Sequence, residues 1–194
     1  KGCGRRIRTM EKDAGQKFLN KFMSSSLESL QRLHDKGIIH GDIKAENCLA
    51  TDPDGHCKLA DLGVSCLKGE SLNGFTAIYV APETIQDQKR EGDEQADMHQ
   101  WACMIIVESL GEQVFKDIMN LTPPVSGQDM MGAKCEIKKN PGPYKKRLRD
   151  AFKAAKEAGS PVPSIKIQDH ISKCLANKST ERPTSQDILN ALRR

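Results

Sequence analysis

The chain has 194 residues, 37% of them hydrophobic and 29% charged, with a formal net charge of +4, a balance that predicts one soluble globular domain with a real core. No apolar run approaches the ~18 residues that a membrane-spanning helix needs, and no secretory apolar region opens the sequence. The seven cysteines, at 3, 48, 57, 66, 103, 135 and 174, are odd in number and form no C-x-x-C pair, which argues against zinc and a disulfide framework and for reduced thiols in a cytosolic setting.

Residues 1–13 form a basic, glycine-containing N-terminal segment without an assigned element. Gly2-Cys3-Gly4 lacks the third glycine and the preceding strand of a phosphate loop. Arg5-Arg6-Ile7-Arg8, like the later Lys145-Lys146-Arg147-Leu148-Arg149, carries no interleaved aromatic residue and reads as a solvated face, not a nucleic-acid surface. A helix is predicted over residues 14–36, with Phe18, Phe22, Leu27, Leu30 and Leu33 on one face and Lys36-Gly37 closing it.

Ile38-Ile39-His40-Gly41-Asp42-Ile43-Lys44-Ala45-Glu46-Asn47 follows, an apolar pair that delivers an acid, then a lysine, then an asparagine. Phosphoryl transfer needs such a set: a carboxylate to orient a hydroxyl, a cation near the phosphoryl group and an oxygen ligand for Mg²⁺. Residues 47–50 and 57–60 read as the strands of a hairpin around the turn Asp52-Pro53-Asp54-Gly55. Asp61-Leu62-Gly63 leaves that hairpin, so Asp61 can stand opposite Asn47, and two such oxygens with ATP phosphates and water can hold Mg²⁺. A mixed, polar stretch then runs to Ala81-Pro82-Glu83. An apolar helix is predicted from Asp97 to about residue 110, with Trp101 as core filler. The prolines and glycines of 120–143 predict a long loop or insertion. Helices over 144–158, 165–175 and 185–192 complete the chain, with Gly159-Ser160-Pro161 as a breaker and Glu181-Arg182-Pro183-Thr184 before the last.

H-G-D-x-K-x-x-N at 40–47 resembles the protein-kinase catalytic loop, usually H-R-D-x-K-x-x-N. Asp61-Leu62-Gly63 resembles the Asp-Phe-Gly triplet, and residues 74–83 are similar to G-T-x-x-Y-x-A-P-E, with Phe75 in place of a glycine. Asp97-Met98-His99-Gln100 resembles the start of the central helix, where His99 and Gln100 replace an aromatic residue and a serine. The resemblance covers residues 14–194 and implies a mainly α fold: the helical C-terminal lobe of a serine/threonine protein kinase with a short β-hairpin, a catalytic loop at 40–47 and an activation segment at 61–83. It implies ATP and Mg²⁺, with Asp42 and Lys44 catalytic, Asn47 and Asp61 on the metal, and Lys44, Glu46, Asn47, Leu49 and Asp61 at the nucleotide. Structural roles fall to His40, Glu83, Asp97 and Arg182, with Arg182 pairing Glu83, and Thr76 lies beside the substrate.

No G-x-G-x-x-G loop and no V-A-x-K strand occurs, and a start at Lys1 rather than Met predicts a fragment. The small lobe is therefore expected in cis or on another chain, or a partner protein in its place, alongside a protein substrate. Gly41 stands where regulated kinases carry arginine. With Gly-Phe-Thr at 74–76, it gives a faint similarity to secreted bacterial effector kinases, which would place the protein in a host cytoplasm. The alternatives are a non-catalytic interaction module on a kinase-like scaffold and an aminoglycoside-type phosphotransferase. The latter usually lacks Lys44 and the Ala-Pro-Glu element.

Overall fold

The structure is a computed structural model and describes residues 7–86, 91–121, 126–176 and 178–193. Gly2-Cys3-Gly4, Arg5-Arg6 and Pro123-Pro124 lie outside the described residues.

Helix α1 (Lys12–His34) buries Phe18, Leu19, Phe22, Met23, Leu27 and Leu30 along one face. That spacing of three and four residues is the helical period. Gly37, at φ 68°, turns the chain out of the helix and into β1 (Ile38–Ile39). A 3-10 turn at Ala45–Asn47 leads into the hairpin of β2 (Cys48–Ala50) and β3 (Cys57–Leu59), registered Cys48↔Leu59 and Ala50↔Cys57. Asp52 Oδ1 closes its turn by accepting from the backbone N–H groups of Asp54 (2.9 Å) and His56 (3.0 Å). β4 (Cys66–Leu67) returns antiparallel to β1, pairing Ile39 with Cys66.

Past the short α2 (Pro82–Gln86), helix α3 (Glu94–Leu110) is the axis of the molecule. Every residue from Ala96 to Leu110 is buried, the pattern of a helix surrounded on all sides. Trp101 is fully buried, and its Nε1–H donates to Ser26 Oγ on α1 at 3.0 Å, so it is core with its one polar atom satisfied. Around α3 pack α1, α4 (Glu112–Ile118), α6 (Pro141–Glu157) and α7 (Ile165–Cys174), and the last helix α8 (Ser185–Leu192) lies on α1.

Two expectations change. The long loop at 120–143 contains a helix, α5 (Gly127–Lys139), and residues 141–143 belong to α6. Ser126 and Asp129 bond each other's backbone as a capping box. Pro141 sits in the first turn of α6, where a missing N–H loses no helical bond. Gly127, Pro141, Gly142 and Pro143 thus stand at helix starts rather than in a loop. The second change lies in segment 1–13, whose described end enters the core. Residues 7–9 are helical, Ile7 is fully buried, and Arg8 donates to the carbonyls of Val107 (3.1 Å) and Glu108 (2.9 Å) at the end of α3. Arg8 thereby satisfies the Glu108 carbonyl, which the helix C-terminus leaves open, and adds a second donor to Val107 O beside Gly111 N–H.

Candidate active site

Loop 40–47 is suspended from α3. Asp97, 1% exposed, accepts from His40 N–H on Oδ2 and from Gly41 N–H on Oδ1, both at 2.9 Å, and His34 Nε2 reaches Oδ2 at 2.9 Å. A carboxylate this deep needs such donors to offset its desolvation. One turn further along α3, Gln100 accepts from Ile43 N–H (2.7 Å) and donates to Gly41 O (2.8 Å). His40 Nδ1 accepts from Asp42 N–H at 3.3 Å, so its Nε2–H is the donor to Ala60 O at 3.0 Å. This joins the loop to the end of the hairpin.

On this frame three polar side chains converge. Lys44 Nζ lies 2.6 Å from Asp42 Oδ2 and donates to Thr76 Oγ1 at 3.1 Å, while Thr76 donates to Asp42 Oδ1 at 2.6 Å. Burial raises the Asp42 carboxyl, but the Lys44 ammonium and the Thr76 hydroxyl outweigh it, so Asp42 lies below the usual carboxylate range. Asn47 donates its Nδ2 to the Asp42 carbonyl at 2.8 Å, which leaves Oδ1 as its acceptor atom.

The hairpin returns the chain to Asn47, whose carbonyl accepts from Ala60 N–H at 2.8 Å. Asp61 follows at once, exposed and at φ 62°, with Oδ1 accepting from Gly63 N–H at 3.2 Å. Glu46 is exposed on the 3-10 turn. Leu49 and Leu62, beside Asn47 and Asp61, are 57% and 50% exposed.

At the far end of segment 61–83, Glu83 and Arg182 form a two-pronged ion pair. Two neighbouring carbonyls are held by residues that sequence reasoning did not single out for contact. His99 Nδ1 lies 3.2 Å from Tyr79 O, and the buried Lys134 of α5 donates to Val80 O. Burial, then the positive charges of Lys134 and Arg182, press His99 well below its usual value, and burial brings Lys134 down to about 8. Gln100 and His34 were missed as well. Gln100 was legible, being three residues from Asp97 on one helical face. Nothing local distinguishes His34 or Lys134.

Comparison with known proteins follows the same lines. A model of the protein kinase domain matches residues 5–192. The chain is 34% identical over 170 residues to the serine/threonine-protein kinase dst1 of Dictyostelium discoideum, a match covering 85% of this chain and 20% of that protein. It is 30% identical over 183 residues to the MAP kinase kinase MKK1/SSP32 of Saccharomyces cerevisiae (90% and 32%). With the serine/threonine-protein kinase TAO3 of Xenopus laevis it shares 31% over 168 residues (84% and 16%). The chain thus spans at most 32% of the length of these relatives.

Proposed function

The chain belongs to the protein kinase domain family, and on that premise we propose that it is the large, helical lobe of a serine/threonine protein kinase. The reaction passes the γ-phosphoryl group of ATP to a serine or threonine hydroxyl of a protein substrate. The observation that carries this reading is the three-way contact of Asp42, Lys44 and Thr76. In it Thr76 gives Asp42 the bond that an incoming substrate hydroxyl has to make with its base. Asp42 orients that hydroxyl and takes its proton as the oxygen attacks phosphorus, and the bond to the ADP oxygen breaks. Lys44 places its charge beside the group in transit.

Asn47 Oδ1 and the Asp61 carboxylate are hard oxygen donors of the kind Mg²⁺ takes. Among the described residues no group of three or more His, Cys, Asp or Glu offers another metal site. Mg²⁺-ATP, when bound, would supply the phosphoryl group and the cation that screens its charge. Leu49 would lie under the adenine, with Glu46 on the nucleotide side. Leu49 and Leu62 face water here, an apolar floor that fits a covering small lobe in cis or on another chain, or a partner protein. Cys48, Cys57, Cys66, Cys103 and Cys174 are free thiols, which supports a cytoplasmic setting.

In a protein that joins this chain to a small lobe, Asp42→Asn is expected to lower kcat by about 10²–10⁴-fold and leave Mg²⁺-ATP affinity nearly intact. Wild-type turnover in that variant overturns the assignment. Calorimetry tests the covering lobe: micromolar ATP affinity of this chain alone would remove the need for one.

A further inference from the structure

A groove of about 790 Å³ lies where α1, α7 and α8 meet. None of these helices contains Asp42, Lys44, Asn47, Asp61 or Thr76, so the groove is separate from the candidate active site. Its floor is apolar, with Ile167 and Leu189 buried and Leu192 half-buried. Its rim is basic. Lys17 and Lys21, one turn apart on α1, share it with Lys166 at the start of α7 and Arg193 just past α8.

These four cations meet a single carboxylate, Glu28, along the groove. All four are exposed, and none forms an ion pair with another described residue. Four cations gathered on one rim against one carboxylate create a positive potential, and a low-dielectric floor focuses it. Beside Lys166, Ile165 is 69% exposed, the highest value among the large hydrophobic side chains of the described residues. A lone exposed lysine or isoleucine is ordinary. Four cations with one carboxylate among them, around an apolar floor and with an exposed isoleucine next to Lys166 in the chain, describe a complement that is both acidic and apolar.

We propose that this groove docks an acidic, amphipathic segment of a partner protein. Its carboxylates lie against Lys17, Lys21, Lys166 and Arg193. Its aliphatic side chains fill the floor of Ile167, Leu189 and Leu192 and cover Ile165. The concave shape favours a peptide over a flat lipid surface. No aromatic side chain lines the groove to stack a nucleic-acid base.

The test is fluorescence anisotropy with a labelled peptide of repeating Glu-Glu-Leu units, titrated into the protein. Saturable binding that weakens as salt rises is expected. The double variant Lys21→Glu/Lys166→Glu should lose about tenfold or more in affinity, and Ile165→Asp several-fold. These positions are exposed, so circular dichroism should be unchanged, and Asp42→Asn should bind as tightly as the wild type. Equal binding of a Lys-Lys-Leu peptide, or an affinity that ignores the charge reversal, overturns the proposal. So does attachment to phosphatidylserine vesicles by a protein that does not bind the peptide.

Discussion

Truncating Arg182 should destabilise the protein far more than an exposed ion pair would. Its side chain is fully buried, and each of its five guanidinium N–H groups has an acceptor: Glu83 twice, Ala176 O twice and Gln95 O once. Glu83, whose side chain is 24% exposed, rests on it from the end of segment 61–83. Arg182→Ala strands that carboxylate and leaves two carbonyls without their donors. Glu83→Ala strands a cation that cannot reach water. Breaking a buried pair from one side costs about 3–5 kcal/mol. At roughly 2–4 °C per kcal/mol for a domain of this size, that is a fall in Tm of about 6–20 °C. Thermal unfolding followed by circular dichroism reads it directly. The double variant Glu83→Leu/Arg182→Met replaces the pair by apolar groups. Its loss should fall short of the summed single losses by about 1–3 kcal/mol. A melt of Arg182→Ala that overlays the wild type, or a double variant that is merely additive, refutes the reasoning.

Gln100→Ala leaves Ile43 N–H and Gly41 O without their side-chain partner. It should cost about 1–3 kcal/mol for each orphaned group; an Ile43 amide whose hydrogen exchange does not accelerate would count against the clamp. Burial raises the Glu108 carboxyl from 4.5 to about 7, and its Oε2 is buried without a partner. The folded protein therefore holds this proton more tightly than the unfolded chain does. The stabilisation is complete below about 4.5 and is lost as pH rises through about 7. Glu108→Gln should gain on the wild type by about 2–3 kcal/mol between pH ~5 and ~8 in denaturant titrations, and a flat difference would be contrary. Gly41→Arg should lower Tm. Its φ is 82° and a Cβ there would lie 2.5 Å from Leu72 Cδ2, and the left-handed backbone alone costs about 1–2 kcal/mol. An arginine variant as stable as the wild type would mean that Leu72 yields.

The central features were legible because short-range rules decide them. The face of α1 follows from residues three and four apart, and the hairpin from a proline and glycine placed where a turn needs them. Asp42, Lys44 and Asn47 share one short loop, so their spacing alone implied proximity. Arg182 and Glu83 are 99 residues apart, and only the family resemblance could join them. Thr76 was placed near the substrate the same way. Its bond to Asp42 depends on how segment 61–83 folds back, which no local pattern states. The helix at Gly127–Lys139 was hidden by Gly127, Gly132 and the surrounding prolines, which propensity reads as breakers. Its capping signal, Ser126 with Asp129, was in the sequence and was not read. Lys134 reads as a surface lysine until packing buries it against Val80 O.

Gly41 shows how a residue can be read correctly for charge and incompletely for shape. By sequence it is a missing arginine, unable to grip a phosphate. By structure the position admits only glycine comfortably, because Leu72, 3% exposed, fills the space that a side chain would take. The segment after Asp61 is tied to the loop by further contacts that need no modified side chain. Ser65 donates to His40 O at 2.9 Å, Thr76 donates to Asp42 at 2.6 Å, and Cys66-Leu67 pairs with Ile38-Ile39. The Lys68–Glu94 pair is largely exposed, where such a pair is worth little. Order at the loop therefore comes from an apolar contact and hydrogen bonds that exist without a modified side chain. A phosphate on Ser65 or Thr76 would remove a donor from one of these bonds and set a dianion against a backbone carbonyl or the Asp42 carboxylate. For a two-lobed protein containing this chain, phosphatase treatment is therefore expected to leave activity unchanged or raised. A collapse in activity on loss of phosphate from Ser65, Ser71 or Thr76 would mean that a cation, either Lys44 beside Thr76 or one outside loop 40–47, takes the role Gly41 cannot fill.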